Sequence, residues 1–314
     1  MKYVGLQGQI WKNNIKSVLL LILFPVVIII LVWLFFFFVT DQNTGRQFVA
    51  TTDNFLKYIP WISLLIFLWF LIAYFSHTAI IKKATGSVSL ERKENKRIYN
   101  MVENLSIANG MPMPSINLIE DDSLNAFASG INKSTYTISL SRGIINKLND
   151  EELEAVIAHE MTHIRNRDVR LLIISIVFVG IFAFLTEALF RMIRFSGARG
   201  SGKGKKDGGY IVLVALALAA IGYLLSTLFR FALSKKREYL ADSGSAEMTK
   251  KPLALASALE KISTDSRIEA VEQRDVAQLF IDNPREKRKM FSSIALLFST
   301  HPPIEKRIEL LRQY

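Results

Sequence analysis

The stretch Asn149-Asp-Glu-Glu-Leu-Glu-Ala-Val-Ile-Ala-His159-Glu160-Met-Thr-His163 holds two of the chain's four histidines in one His-Glu-x-x-His pattern. Asn149 followed by three acids is a helix start, with a polar cap and then negative charge in the first turn. Leu153, Val156 and Ile157 recur at helical spacing, so one face of this helix is buried. On such a helix, positions i and i+4 lie one above the other. His159 and His163 can then share one zinc ion at about 2.0–2.1 Å. Glu160 falls beside the metal without binding it, where a general base for an activated water belongs. The alternative is an ordinary helix with two histidines by chance. Four histidines in 314 residues make that a poor account.

A catalytic zinc needs a third protein ligand and one open position. With no cysteine in the chain, that ligand must be His, Asp or Glu, and disulfides, iron–sulfur clusters and zinc ribbons are excluded. The metzincin extension would require Gly at 166 and His at 169, but these positions are Asn166 and Val169. Glu187 lies in an apolar run, on the order of 36 Å from His163 if the helix continues at about 1.5 Å per residue. It is read as a buried polar residue facing another span. Glu238 and Asp242 form a better pair, again i and i+4 on one helical face. Glu238 can ligate, and Asp242 can accept the N–H of a ligand histidine and fix its tautomer. A solvated charge pair of Glu238 with Arg237 or Lys235 is the competing reading.

Outward from the motif the chain is apolar. It is 50% hydrophobic, with a mean hydropathy of +0.26. Four apolar runs stand out, at 18–39, 59–81, 171–190 and 211–233. Each reaches the roughly 20 residues that cross a hydrocarbon core. The first is too long for a signal peptide's apolar region and has no small-residue cleavage site, so it reads as an uncleaved anchor. Tyr58 and Trp61 suit a membrane interface. Lys2, Lys12 and Lys16 precede the first run. Lys82, Lys83, Arg92, Lys93, Lys96 and Arg97 follow the second. These charges place the N-terminus and 82–170 in the cytoplasm. The basic, glycine-rich stretch 197–209 conflicts, because two further crossings would put it outside. The net charge of +11 thus lies beside apolar runs, which fits topology and anionic headgroups; no nucleic-acid-binding signature is present.

Four domain segments follow. Residues 1–81 form an N-terminal membrane segment with two spans. Residues 82–170 form the first part of a catalytic domain, 171–233 a second pair of spans, and 234–314 the rest of the catalytic domain. The two catalytic pieces suffice for one compact domain. Helices are predicted near 91–109, 141–148, 150–167, 234–249 and 252–263 and after His301-Pro-Pro303. Strands are predicted at 115–119 and 136–140, with 125–130 between them. The fold class is a mainly α membrane protein: four transmembrane helices plus a mostly helical, zincin-like catalytic domain with a small β-sheet.

Four segments resemble the HtpX-type membrane zinc metallopeptidases, a family related to the CAAX prenyl proteases. Asn125-Ala-Phe-Ala128 resembles the family's substrate-side strand. Leu153 to Asp168 resembles its metal helix, and Arg237-Glu-Tyr-Leu-Ala-Asp242 its third-ligand segment. Thr300-His-Pro-Pro-Ile-Glu-Lys-Arg307 resembles its C-terminal motif. The resemblance implies one Zn2+ per subunit, held by His159, His163 and Glu238, with Glu160 catalytic and Asp242 in support. It implies that Asn125, Ala126, Phe127 and Ala128 bind substrate as an added strand, against a plain edge strand. His301 would stabilise an oxyanion or cap the last helix. Arg307 would brace a ligand carboxylate or lie on the surface. His77 is read as interfacial.

The implied activity is endopeptidase action on membrane or misfolded proteins, in the bacterial inner membrane with the site on the cytoplasmic side. Two alternatives remain: a prenyl-protein endopeptidase, and a non-catalytic scaffold with a structural metal. The second would require four protein ligands.

Overall fold

The computed structural model describes residues 6–40, 47–196, 206–231, 235–263 and 302–314. Two long helices come first, α1 (Leu6–Val39) and α2 (Gln47–Thr85). A short strand β1 (Val88–Ser89) and α3 (Lys96–Ala108) follow. Then come β2 (Ser115–Ile119), β3 (Ala126–Ser129), β4 (Thr137–Ser141) and α4 (Arg142–Lys147). The motif helix α5 (Asp150–Arg165) leads to α6 (Asp168–Ser196) and α7 (Lys206–Phe231). The chain closes with α8 (Lys235–Thr249), α9 (Pro252–Ile262) and α10 (Ile304–Leu311). The protein is mostly helical with one small sheet.

Contacts divide the chain into two units. One comprises Met1–Lys16, Ser76–Ile173 and Phe231–Tyr314; the other comprises Ser17–Phe75 and Ile174–Arg230.

In the first unit the sheet has strand order β1-β2-β4-β3. β2 and β4 are parallel, with Asn117 opposite Ser139. β3 runs antiparallel to β4, with Phe127 opposite Ser139, and is an edge strand. Apolar side chains from β2, β3, β4, α3, α5 and α9 form the core: Ile98, Phe127, Ile138, Leu140, Leu153, Ile157 and Leu259 are fully buried.

Element ends follow local chemistry. Asn95 starts α3 by accepting from Ile98 N–H, so the helix begins at Lys96 rather than near 91. Ser141 caps α4 through Ile144 N–H and closes β4 one residue later than predicted. Asn149 and Glu152 form a reciprocal capping box at the start of α5. Glu152 also accepts from Ser257 and Lys261, both at 2.7 Å, and so ties α5 to α9.

Among the described residues, two stretches are long and apolar enough to cross a membrane, Asn14–Val39 and Gln47–Thr85, and most of each belongs to the second unit. Large apolar side chains such as Trp61, Leu65 and Phe75 stand exposed on α2. α6 and α7, with 29 and 26 residues, span most of the third and fourth apolar runs. α7 carries a shorter apolar stretch, Tyr210–Leu225. They pack closely where Gly222 meets Phe182: a Cβ on Gly222 would fall 2.2 Å from the ring.

Two expectations fail. Glu187 is exposed and pairs with Arg191 at 2.8 Å, one helical turn away, rather than being buried. A carboxylate with an i+4 arginine needs no second helix to satisfy it. His77, read as interfacial, is buried. The glycine-rich stretch falls outside the described residues up to 205, and 206–209 begin α7 instead of continuing a loop.

Candidate metal centre

Burial of α5 is nearly complete around the motif, with His159 and Glu160 inside and His163 partly open. The two imidazole rings stand 4.9 Å apart and nearly perpendicular.

α8 brings the third carboxylate. Its small residues let it approach α5 closely. Ser245 donates to Ala155 O at 2.6 Å. A Cβ on Gly244 would lie 2.4 Å from the Thr162 methyl. Gly244→Val is therefore expected to push α8 off α5 and to weaken zinc binding, read by competition with a chromophoric chelator; unchanged affinity would contradict this account of the packing.

The approach puts Glu238 Oε2 3.7 Å from His159 Nε2, and Glu238 Oε1 3.6 Å from His163 Nε2. These separations are too long for hydrogen bonds. They match the edge of a tetrahedron around zinc, about 3.4 Å for bonds near 2.1 Å. His159 Nε2 is buried and makes no hydrogen bond. A buried, unpaired nitrogen is costly unless something binds it. Ligand atoms of His159, His163 and Glu238 all fall within 4.8 Å of one another, so the residues present fit a zinc ion.

Behind the ligands lies a carboxylate–guanidinium pair. His159 Nδ1 is 3.0 Å from Asp242 Oδ1. Arg307, on α10 and almost fully buried, grips Asp242 with Nε at 2.9 Å and Nη2 at 2.7 Å. Its Nη1 stands 3.6 Å from Glu238 Oε2. His163 Nδ1 has its own carboxylate, Asp168, at 3.2 Å.

Burial alone would push the His159 imidazole down, but Asp242 and Glu238 more than offset it and raise it to about 9. Burial pushes the Glu160 carboxyl up, against the His159 and His163 charges and the backbone of Ala128. Asp242 is held below the usual carboxylate range, because Arg307 and His159 outweigh its burial.

The sign of the resulting pH dependence is fixed. With its pKa raised to about 9, metal-free His159 is expected to carry a proton at neutral pH, which a ligand imidazole must give up. Zinc uptake at pH 7 is expected to release a proton, and affinity to rise with pH until it flattens near 9. Calorimetry in buffers of different ionisation enthalpy measures this; uptake without proton release would contradict it.

The structure brings together His159, Glu160, His163, Glu238, Asp242 and Arg307. Asn125 and Ala126–Ser129 lie nearby in the first unit, where β3 is packed against α5. Asn125 is fully buried, and its side-chain oxygen accepts from Ala126 N–H. His301 lies outside the described residues, as does the 264–300 stretch. Asp168 was not among the predicted support residues. It sits at i+5 from His163, a spacing with no meaning on an unbroken helix.

The chain is similar to known proteins along most of its length. A protein called "Protease HtpX homolog" from Bacteroides fragilis is 57% identical over the whole of both chains. One from Dictyoglomus turgidum is 41% identical over 76% of each. Another, from Listeria monocytogenes, is 34% identical over 84% of this chain and 88% of its own. In fold, the chain is similar to a crystal structure of S. mikatae Ste24p, with a TM-score of 0.50 at 19% identity. That match covers 96% of this chain and 66% of the other. Residues 92–314 match the sequence profile of Peptidase family M48. With a zinc-fitting triad of two histidines from the motif helix and a glutamate from α8, and with a relative of 57% identity over its full length, the chain belongs to peptidase family M48 and is a zinc metalloprotease.

Proposed function

We propose that this zinc endopeptidase is a four-span membrane enzyme that cleaves membrane-embedded or misfolded proteins at the cytoplasmic face of a bacterial inner membrane. The observation that carries the chemical part is the Nε2–Nε2–carboxylate triad, with the buried Glu160 carboxylate on the helix of its two histidines. In this reading the membrane anchor comprises 1–81 and 171–233, and the catalytic domain 82–170 and 234–314. The apolar lengths of α1 and α2, the length of α6 and α7 and the flanking basic residues support it.

His159, His163 and Glu238 hold the metal. Zinc, when bound, lowers the pKa of a water toward 7 and polarises the scissile carbonyl. Glu160 takes the proton of the attacking water and passes it to the leaving amine. Its burial keeps the carboxyl basic enough to do both. Asp242 keeps the His159 proton on Nδ1, and Arg307 holds Asp242 in place. The extended substrate adds as a strand along Asn125 to Ala128, at the start of β3, whose one sheet partner among the described residues is β4. His301 is proposed to stabilise the oxyanion.

The test is cleavage in liposomes. The purified protein, co-reconstituted with a membrane protein bearing an unfolded cytoplasmic domain, is expected to cut it in a chelator-sensitive way. Preferential cleavage of a farnesylated peptide would instead favour a prenyl-protein endopeptidase.

A further inference from the structure

The carboxylate beside His163 reaches it by an unusual route. On a continuous helix at about 100° per residue, positions i and i+5 point some 140° apart. Asp168 would therefore face away from His163 if α5 simply ran on. Instead the chain breaks at Asn166 and Arg167. Asn166 caps α5 through bonds to Thr162 O and Ile164 O. Arg167 adopts a φ of 60°, a left-handed conformation uncommon for a residue with a long side chain.

Three bonds hold that junction. Arg167 N–H donates to Ile164 O at 3.1 Å, and its guanidinium donates to Asn14 Oδ1 at 2.9 Å. The carbonyl of Asp168 accepts from Arg237 Nη1 at 3.4 Å, and Arg237 directly precedes Glu238. The result is that Asp168, the first residue of α6 and almost fully buried, turns its carboxylate back onto His163 Nδ1.

We propose that Asp168 is a positioning residue for the second imidazole ligand. It accepts the Nδ1 proton of His163, which fixes the tautomer that presents Nε2 to the metal and locks the plane of the ring. Each histidine of the motif then has its own carboxylate from a different element: Asp242 of α8 for His159, and Asp168 of α6 for His163. The left-handed Arg167 is what makes the second pair possible, so the orientation of His163 is set by the point at which α6 begins. This inference rests on His163 being a metal ligand.

Zinc affinity of the full chain in detergent, by competition with a chromophoric chelator, and the visible spectrum of the cobalt(II) form test it together. Asp168→Ala is expected to weaken zinc about 10–100-fold, the usual effect of losing an outer partner, and to shift the cobalt bands. Asp168→Asn retains an acceptor oxygen and is expected to fall between Asp168→Ala and wild type. At saturating zinc, kcat should drop while KM holds. A purely structural role would lower the melting temperature of the metal-free protein and leave affinity and spectrum unchanged; that result in Asp168→Asn, or in Asp168→Ala where it folds, overturns the proposal. A wild type that binds no zinc would instead remove the ligand assignment, and the proposal with it.

Discussion

Glu238→Ala is expected to strip the protein of stoichiometric zinc while leaving it folded. The carboxylate is one of three ligands, so its removal should cost well over the roughly 10–100-fold in affinity typical of a supporting partner. Peptidase activity should fall with zinc occupancy. The fold should survive because Arg307, 3.6 Å from Glu238, retains its bidentate hold on Asp242. Asp242→Ala is a useful contrast. It leaves the Arg307 guanidinium buried with its main partner gone, and breaking a buried pair in this way typically costs about 3–5 kcal/mol. Zinc analysis and the melting temperature of the two variants separate ligand from brace. Full zinc occupancy in Glu238→Ala would sink the ligand assignment.

Glu160→Gln should separate metal from chemistry. The amide has the shape of the carboxylate but no basicity, so turnover is expected to fall on the order of 10²–10⁴-fold, the usual contribution of a positioned acid or base. Zinc content should match wild type, because Glu160 is not one of the three grouped ligands. Zinc-loaded Glu160→Gln that still turned over substrate normally would move the base elsewhere. The wild-type rate is expected to fall as pH drops through the Glu160 pKa, since only the ionised carboxylate accepts a proton. Burial places that limb above the ordinary glutamate range, and a bound cation pulls it back.

Much of the centre was legible because it is local. His159, Glu160 and His163 sit on one helix whose cap, acids and apolar face announce it. Asp242 follows Glu238 by one turn and lies behind His159 by the same periodicity. Glu238 itself was open to a surface reading on residue spacing alone. What decides its position is the close crossing of α5 and α8 at Gly244 and Ser245, and a tertiary approach leaves little trace in periodicity. Arg307 was equally ambiguous: an arginine in a late helix reads as solvent-facing until its partner is found 65 residues away.

Asp168 escaped because the helix break that presents it depends on a left-handed arginine, and no residue preference signals that conformation. β1 escaped because two residues carry no pattern. Glu187 was misread because the apolar run around it concealed an ordinary pair with Arg191. The strands were placed to within about one residue by β-branched composition, but neither the parallel β2–β4 pairing nor the edge position of β3 can be read from composition. Both are set by how the chain crosses between strands.

The most direct test of the three-ligand centre is zinc X-ray absorption of the purified, detergent-solubilised protein, for wild type and for His163→Ala. The account predicts one zinc per chain in wild type, with nitrogen and oxygen neighbours at about 2.0–2.1 Å and scattering from two imidazoles. In any zinc that His163→Ala retains, one imidazole should be lost. A wild-type site with no zinc, or one whose imidazole count is unchanged in His163→Ala, would contradict it.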